Sequence, residues 1–199
     1  MEESIKYPNH RLIQHDYNKE GISPIIPMVT SWNINSMFEI NGEIKGRKII
    51  TDYSKKNYIM CVQDTRINTK TRHDKLMQSF PNNIHTHRRV FSTKTDSTHT
   101  GGVTTILPKK VAKHIRQIYA PTPQMLLVVY RSMNDQTVGI LNVYLKSKAN
   151  NETIEIERKM IETIIINTQT LYPNIILMIA GDFNARPESK RHKKIHRTL

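Results

Sequence analysis

Apolar residues along this chain fall into short blocks of strand length, separated by polar stretches that carry the turn formers. Tyr58 to Gln63 (YIMCVQ), Val103 to Leu107, Met125 to Arg131, Thr137 to Tyr144 and Asn174 to Ala180 (NIILMIA) are runs of this kind. Such near-continuous runs predict strands buried on both faces. Ile25 to Asn33 (IIPMVTSWN) reads as a strand once past Pro27, and Ile84 to Phe91 and Val111 to Tyr119 also have strand character. One segment is periodic at helical spacing. Between Glu152 and Leu171, the residues Ile154, Ile161, Ile164, Ile165, Thr168 and Leu171 fall near one face. Pro173 then ends the helix, because it cannot continue the hydrogen-bonded turns. Shorter helices are predicted over Arg47 to Lys56 and Arg72 to Phe80, the second stopped by Pro81. Ser132 to Gln136 reads as a hairpin connector and Ser92 to Thr100 as a loop. Residues 1–25 are polar and aperiodic, and are expected to form a mobile leader.

Strands in groups with intervening helices predict an α/β protein with packed sheets. A chain of 199 residues with 37% apolar content has enough for one domain with a sizeable core, over 26–199, and too little for two full ones. No stretch approaches the ~20 apolar residues of a membrane span. The N-terminus lacks the apolar centre of a signal peptide. Cys61 is the single cysteine, so no intramolecular disulfide can form, and a reducing intracellular setting is the expectation. The formal charge of +13 favours polyanionic partners, since each phosphate neutralised releases counterions. That excess persists when the basic tail from Arg186 to Leu199 is set aside. A solvated basic surface would have the same composition.

Chemistry collects at three strand ends, each placing an acid or amide just after an apolar run. They are Trp32-Asn33-Ile34-Asn35, Gln63-Asp64-Thr65 and Gly181-Asp182-Phe183-Asn184-Ala185. Alternation lets Asn33 and Asn35, or Asp182 and Asn184, point into one cleft. Hard oxygen ligands gathered this way suit Mg²⁺, which binds through one or two carboxylates and leaves its remaining shell to water and phosphate. Turn formation or helix capping would also explain each end taken singly.

Taken together and in order, these blocks resemble the endonuclease/exonuclease/phosphatase superfamily. Trp32 to Asn35, Gln63 to Thr65, Gly101-Gly102-Val103, Asn142-Val143-Tyr144 and the Gly-Asp-Phe-Asn block carry the resemblance over roughly residues 28 to 187. Within that superfamily the chain looks most like the apurinic-type endonuclease domains of LINE-type (non-LTR) retrotransposons. The resemblance implies a partial four-layer α/β sandwich, with two packed, mostly antiparallel β-sheets flanked by helices. It also implies a magnesium-dependent (or manganese-dependent) endonuclease acting on DNA. On this reading Asn33 and Asp64 hold the metal, with Asn35 nearby. Tyr144 touches the scissile phosphate, Asp182 handles the proton of the attacking water, and Asn184 steadies the phosphate. Arg66, Arg88 and Arg89, from a basic stretch beside the cleft, are candidate contacts to nucleic acid.

Two departures from the family stand out. Asp64 occupies a position where the family has Glu. The family also continues past the Asp-Phe-Asn block to a terminal Ser-Asp-His segment, so the resemblance implies a C-terminal truncation. His192 and His196, in a basic run without neighbouring acids, do not replace that histidine. His85, His87 and His99 lack the paired spacing of a zinc site. A catalytically inactive remnant that binds nucleic acid by charge, and a phosphatase or phospholipase of the same fold, are the alternatives.

Overall fold

The computed structural model describes residues 27–55, 58–78, 88–92, 101–132, 135–146 and 150–185. Expectations for residues 1–25, for 84–87 and 93–100, for the three histidines at 85, 87 and 99, and for the basic tail lie outside them. The elements run β1 (Val29–Asn33), α1 (Arg47–Lys55), β2 (Ile59–Gln63), α2 (Lys70–Gln78), β3 (Arg88–Ser92), β4 (Val103–Pro108), a short helical turn α3 (Lys109–Ala112), β5 (Ile115–Thr122), β6 (Met125–Arg131), β7 (Thr137–Tyr144), α4 (Asn151–Leu171) and β8 (Ile176–Asp182).

The strands form two four-stranded sheets, ordered β1-β2-β4-β3 and β5-β6-β7-β8. Pairing is parallel between β1 and β2 and between β7 and β8, and antiparallel elsewhere. Strand alternation sorts the side chains into layers. Ile59 and Cys61 of β2 face the other sheet and meet Leu126, Val128, Tyr130 and Ile140 in a core between the two. Met60 and Val62 face the opposite way, onto Ile50 of α1 and Leu76 of α2. In the second sheet Met125, Leu127, Val129, Leu141 and Val143 turn outward against Ile161 and Ile164 of α4. The result is four layers, helix–sheet–sheet–helix. Strands β2, β4, β6 and β7 are buried on both faces, which is why they read as continuous apolar runs.

Helix α4 starts where its sequence can satisfy the exposed amides. Asn150 caps it, its side-chain oxygen accepting from the Thr153 amide at 2.8 Å, and Glu152 lies in the positively polarised first turn. Ile154, Ile161, Ile164 and Thr168 are buried, while Leu171, expected on that face, is exposed at the helix end.

Three expectations are corrected. The stretch from Val111 to Tyr119 is not one strand: Lys109–Ala112 forms a helical turn, and β5 begins only at Ile115. The His114 amide closes that turn on Val111 O. β5 then runs through Pro121 at a register irregularity, tolerable because β5 is a sheet edge. The apolar run from Asn174 to Ala180 was expected to be buried, but β8 is also an edge strand and its residues are half-buried, with Ile176 exposed. α2 begins at Lys70, ahead of the expected Arg72.

Two buried amides link the sheets. Gln63 Nε2 donates to Asn142 Oδ1 at 2.8 Å and to Cys61 O at 2.9 Å, and Ser31 Oγ donates to Gln63 Oε1 at 3.1 Å. Asn142 Nδ2 reaches Thr104 O at 3.1 Å and Thr105 Oγ1 at 3.3 Å. A polar side chain inside an apolar layer is costly unless bonded, so these groups fix how one sheet sits on the other. Gln63 precedes Asp64, and Asn142 lies two residues before Tyr144 on the same face of β7. The link therefore sets the spacing between the two halves of the site below.

Candidate active site

The C-terminal ends of β1, β2, β7 and β8 open at one end of the sandwich, where open α/β sheets place their ligands. Register brings them level. Asn33 pairs with Gln63, Gln63 with Val103, and Tyr144 with Asp182. Across the gap between the sheets, Asn33 Nδ2 donates to Asp182 Oδ2 at 2.5 Å. The other carboxylate oxygen, Oδ1, accepts from the Asn184 amide at 2.9 Å. Asn33 Oδ1 accepts from the Asn35 amide at 3.2 Å. Asn35 Oδ1 accepts from Arg66 Nη2, and that guanidinium pairs with Asp64 Oδ2 through Nε at 3.1 Å and Nη2 at 2.8 Å. Asp64 Oδ1 takes the Gly101 amide at 2.7 Å. An unbroken chain of hydrogen bonds thus runs from Asn184 through Asp182, Asn33, Asn35, Arg66 and Asp64 to Gly101. It joins residues drawn from both sheets.

The backbone here is unusual. Six non-glycine residues among those described have positive φ, and five of them are Asn35, Ser36, Asp64, Arg66 and Asn184. Asn and Asp tolerate the left-handed region through local hydrogen bonds, but Ser and Arg visit it rarely. Such conformations cost about 1–3 kcal/mol each and persist where the surroundings enforce them. Here they do geometric work. Left-handed turns at Asp64 and Arg66 fold the two side chains together, and the turn at Asn184 brings its amide back onto Asp182. Gly181 contributes by close approach, since a Cβ there would lie 2.0 Å from the Val143 carbonyl oxygen of the adjoining strand.

Asn33, Asn35, Asp64, Asp182, Asn184 and Arg66 are therefore brought together. Tyr144 lies beside Asp182 by register, but its side chain is buried in the core between the sheets. Asn184 Nδ2 donates to Leu145 O at 2.6 Å, tying the loop after β8 to the end of β7. The backbone positions of Arg88 and Arg89 lie elsewhere on the sheet. They pair with Pro108 and Leu107, at the end of β4 away from Gly101 and Val103, roughly 17 Å along the strand. Lys45 had no motif to single it out. Its Nζ donates to Ile34 O at 2.8 Å and to Asn35 O at 3.3 Å. The Gln63–Asn142 link was detectable in principle, as an amide inside each apolar run requires a partner.

The donors present suit a divalent ion of the magnesium kind. Asn33, Asp64 and Asp182 offer hard oxygens and only two carboxylates, a set that leaves coordination positions to water and phosphate. No group of three His, Cys, Asp or Glu able to hold a metal occurs among the described residues, so a closed protein cage is not formed there. Any ion reaching Asp64 Oδ2 has to share it with Arg66.

No family model matches the chain, and no curated protein matches it. Solved structures do. The AP endonuclease LMAP from Leishmania major is similar over 79% of this chain and 55% of its own, at 12% identity and a TM-score of 0.60. ANGEL2, a 2',3'-cyclic phosphatase, is similar over 85% and 56% respectively, at 12% identity and a TM-score of 0.59. The human Nocturnin catalytic domain with bound sulfate is similar over 84% and 67%, at 15% identity and a TM-score of 0.51. The chain spans about half the length of the first and second of these. The likeness shows the fold: a two-sheet α/β sandwich of the kind these structures have.

Proposed function

We propose that this chain is a phosphodiesterase that nicks DNA in the presence of Mg²⁺ or Mn²⁺, the endonuclease module of a LINE-type retroelement. The observation that carries the reading is the hydrogen-bonded chain from Asn184 to Gly101. It places two carboxylates, three amides and a guanidinium at one mouth, held by backbone conformations that cost energy. A purely structural loop cluster has no need of that expense.

Asp182 is the group suited to take the proton from an attacking water. Asn33 holds one of its oxygens at 2.5 Å and the Asn184 amide the other at 2.9 Å, so the carboxylate is oriented before substrate arrives. Water attacks phosphorus, the phosphorus–oxygen bond to the leaving group breaks, and the departing oxygen gains a proton. Asn33 and Asp64 would hold the divalent ion, which supplies Lewis-acid polarisation of a phosphate oxygen. Asn184 steadies the rim through its bond to Leu145 O, and Tyr144 is the register partner of Asp182 on β7. Stabilisation of the charge that develops on the phosphate would then fall to the divalent ion and to a cationic donor at the mouth.

The test is nicking of supercoiled plasmid by the purified full chain in Mg²⁺, against EDTA and against Asp182→Ala. Nicking lost in both controls is expected. A folded chain that binds DNA with no metal-dependent nicking would support the inactive-remnant reading instead. The fold is shared with a 2',3'-cyclic phosphatase. Faster turnover of a small phosphate ester than of DNA, in the same buffer, would move the assignment to a phosphatase.

A further inference from the structure

The cleft contains a cation of its own. Arg66 lies two residues from Asp64, and both adopt positive φ, which turns the guanidinium onto the carboxylate rather than outward. The contact uses one edge of the fork. Nε and Nη2 are engaged by Asp64 Oδ2, and Nη2 also by Asn35 Oδ1. Among the described residues no acceptor meets Nη1. The Asp64 side chain is 5% exposed and that of Arg66 27%, so the carboxylate is shut in while the guanidinium reaches the opening. Lys45 stands at the same place. Its ammonium caps the carbonyls of Ile34 and Asn35, so two cations converge on Asn35. Asp64 offsets one of them, and Asp182, bonded to Asn33, lies on the other sheet's side of the mouth.

We propose that Arg66 is the phosphate-binding residue of this cleft, oriented by Asp64 and Asn35 so that its remaining nitrogen, Nη1, donates to an oxygen of the phosphodiester without any divalent ion. The inference rests on the reading of the cleft as a phosphodiester site and adds how the substrate is first held. A guanidinium fixed along one edge has already lost the rotamer freedom that an exposed arginine would lose on binding. Nη1 stays available as a charged donor, and charge-assisted bonds to phosphate are about twice as strong as neutral ones. On this account Asp64 has two duties, as counter-ion to Arg66 and as a ligand for any metal that enters. Its Oδ1, already bound by the Gly101 amide, is the fixed end of both.

The experiment is a titration of the ¹⁵N-labelled full chain with inorganic phosphate in EDTA, following the Gly101 amide and the Arg66 Nε–H resonances. Saturable shifts of both are expected. Arg66→Lys keeps the charge and loses the planar group that Asp64 and Asn35 hold in place, and should weaken binding about tenfold. Arg66→Gln should leave the Gly101 amide unmoved by phosphate. A wild-type chain whose resonances do not move, or Arg66→Gln saturating at the wild-type concentration, would overturn the proposal. Unaltered spectra elsewhere in Arg66→Gln show that it is folded, and Arg66→Lys supplies the reading if it is not. Because no metal is present and no bond is cleaved, the outcome is separable from nicking. Phosphate binding without nicking would sink the proposed enzyme and leave Arg66 standing.

Discussion

Two strands end in a carboxylate at the same mouth, and the two ends differ in almost every physical respect. Asp64, after β2, is 3% exposed, and both its oxygens are taken by a guanidinium and a backbone amide. Asp182, at the end of β8, is half-buried on an edge strand. Its partners are the Asn33 side-chain amide and a backbone N–H, and among the described residues no cation pairs with it. A carboxylate closed on its own counter-ion is built into the fold. One held only by neutral donors keeps its charge available. The sequence pattern, an acid after an apolar run, is the same at both, so the pattern alone does not tell a carboxylate that organises from one that reacts.

The largest separation between the ends should appear in rate. Asp182→Asn keeps the shape of the side chain and removes its basicity. Plasmid nicking should fall by roughly 10²–10⁴-fold, the usual contribution of general acid–base catalysis. Its melting temperature should stay close to wild type, since a half-buried carboxamide still has Asn33 and Asn184 as neighbours. Calorimetry on the same sample checks this. A melting point that drops while the rate holds would reverse the roles assigned to the two ends.

Stability should separate them in the other direction. Asp64→Ala leaves the Gly101 amide without its acceptor and Arg66 without its counter-ion. Breaking a fully buried pair costs about 3–5 kcal/mol, and with a quarter of the arginine in solvent about 2–3 kcal/mol is the better expectation. For a chain of this size that lowers the melting temperature by roughly 5–10 °C. Asp64→Glu tests whether the length of the acid matters. With one more methylene it should disturb the Arg66 contact and change the Mg²⁺ requirement. Equal metal dependence in the native chain and the Asp64→Glu variant, measured by nicking across a Mg²⁺ series, would show that the shorter acid has no consequence.

How far the sequence revealed this follows from what periodicity encodes. Alternation and run length depend on which faces are buried. They therefore identified the strands ending at Asn33, Gln63 and Tyr144 and the helix from about Glu152 to Leu171, and so where the polar residues at the strand ends would stand. Three things escaped for definite reasons. The run NIILMIA is as apolar as a central strand, yet β8 is an edge, because burial depends on what packs against it. The pairing of Arg66 with Asp64 depends on left-handed φ in a loop, which no hydrophobic pattern specifies. Lys45 acts through backbone carbonyls of another segment, and nothing in its neighbours announces that.

The link behind the two ends is the next smaller lever. Asn142→Leu removes the acceptor of Gln63 Nε2 and leaves Thr104 O with one donor fewer, at a cost of about 1–3 kcal/mol. Because Gln63 leads into Asp64 and Asn142 into Tyr144, the spacing of the ends should loosen as well. Nicking should then lose more in kcat than in KM. The double variant Gln63→Leu/Asn142→Leu should recover part of the stability, since neither amide is left unpaired, without recovering the rate. Recovery of both would reduce the link to packing.

The smallest effect is a reporter. Cys61 is on β2, three residues before Asp64, buried in the core between the sheets. Burial pushes its thiol up to about 12, a rise that its hydrogen bond with Thr105 only partly opposes. The reactive form is the thiolate. Native chain at a pH of about 8 should therefore be alkylated by iodoacetamide only through opening of β2, at a rate set by local stability. That makes Cys61 a probe of one end and not the other. Asp64→Ala should speed labelling, and Asp182→Asn should leave it near wild type, as among the described residues β8 pairs with β7 on the far sheet and a carboxamide oxygen can still accept from Asn33. Equal acceleration in both variants would mean that the mouth opens as a unit, and the distinction between an organising and a reacting carboxylate would then rest on rate alone.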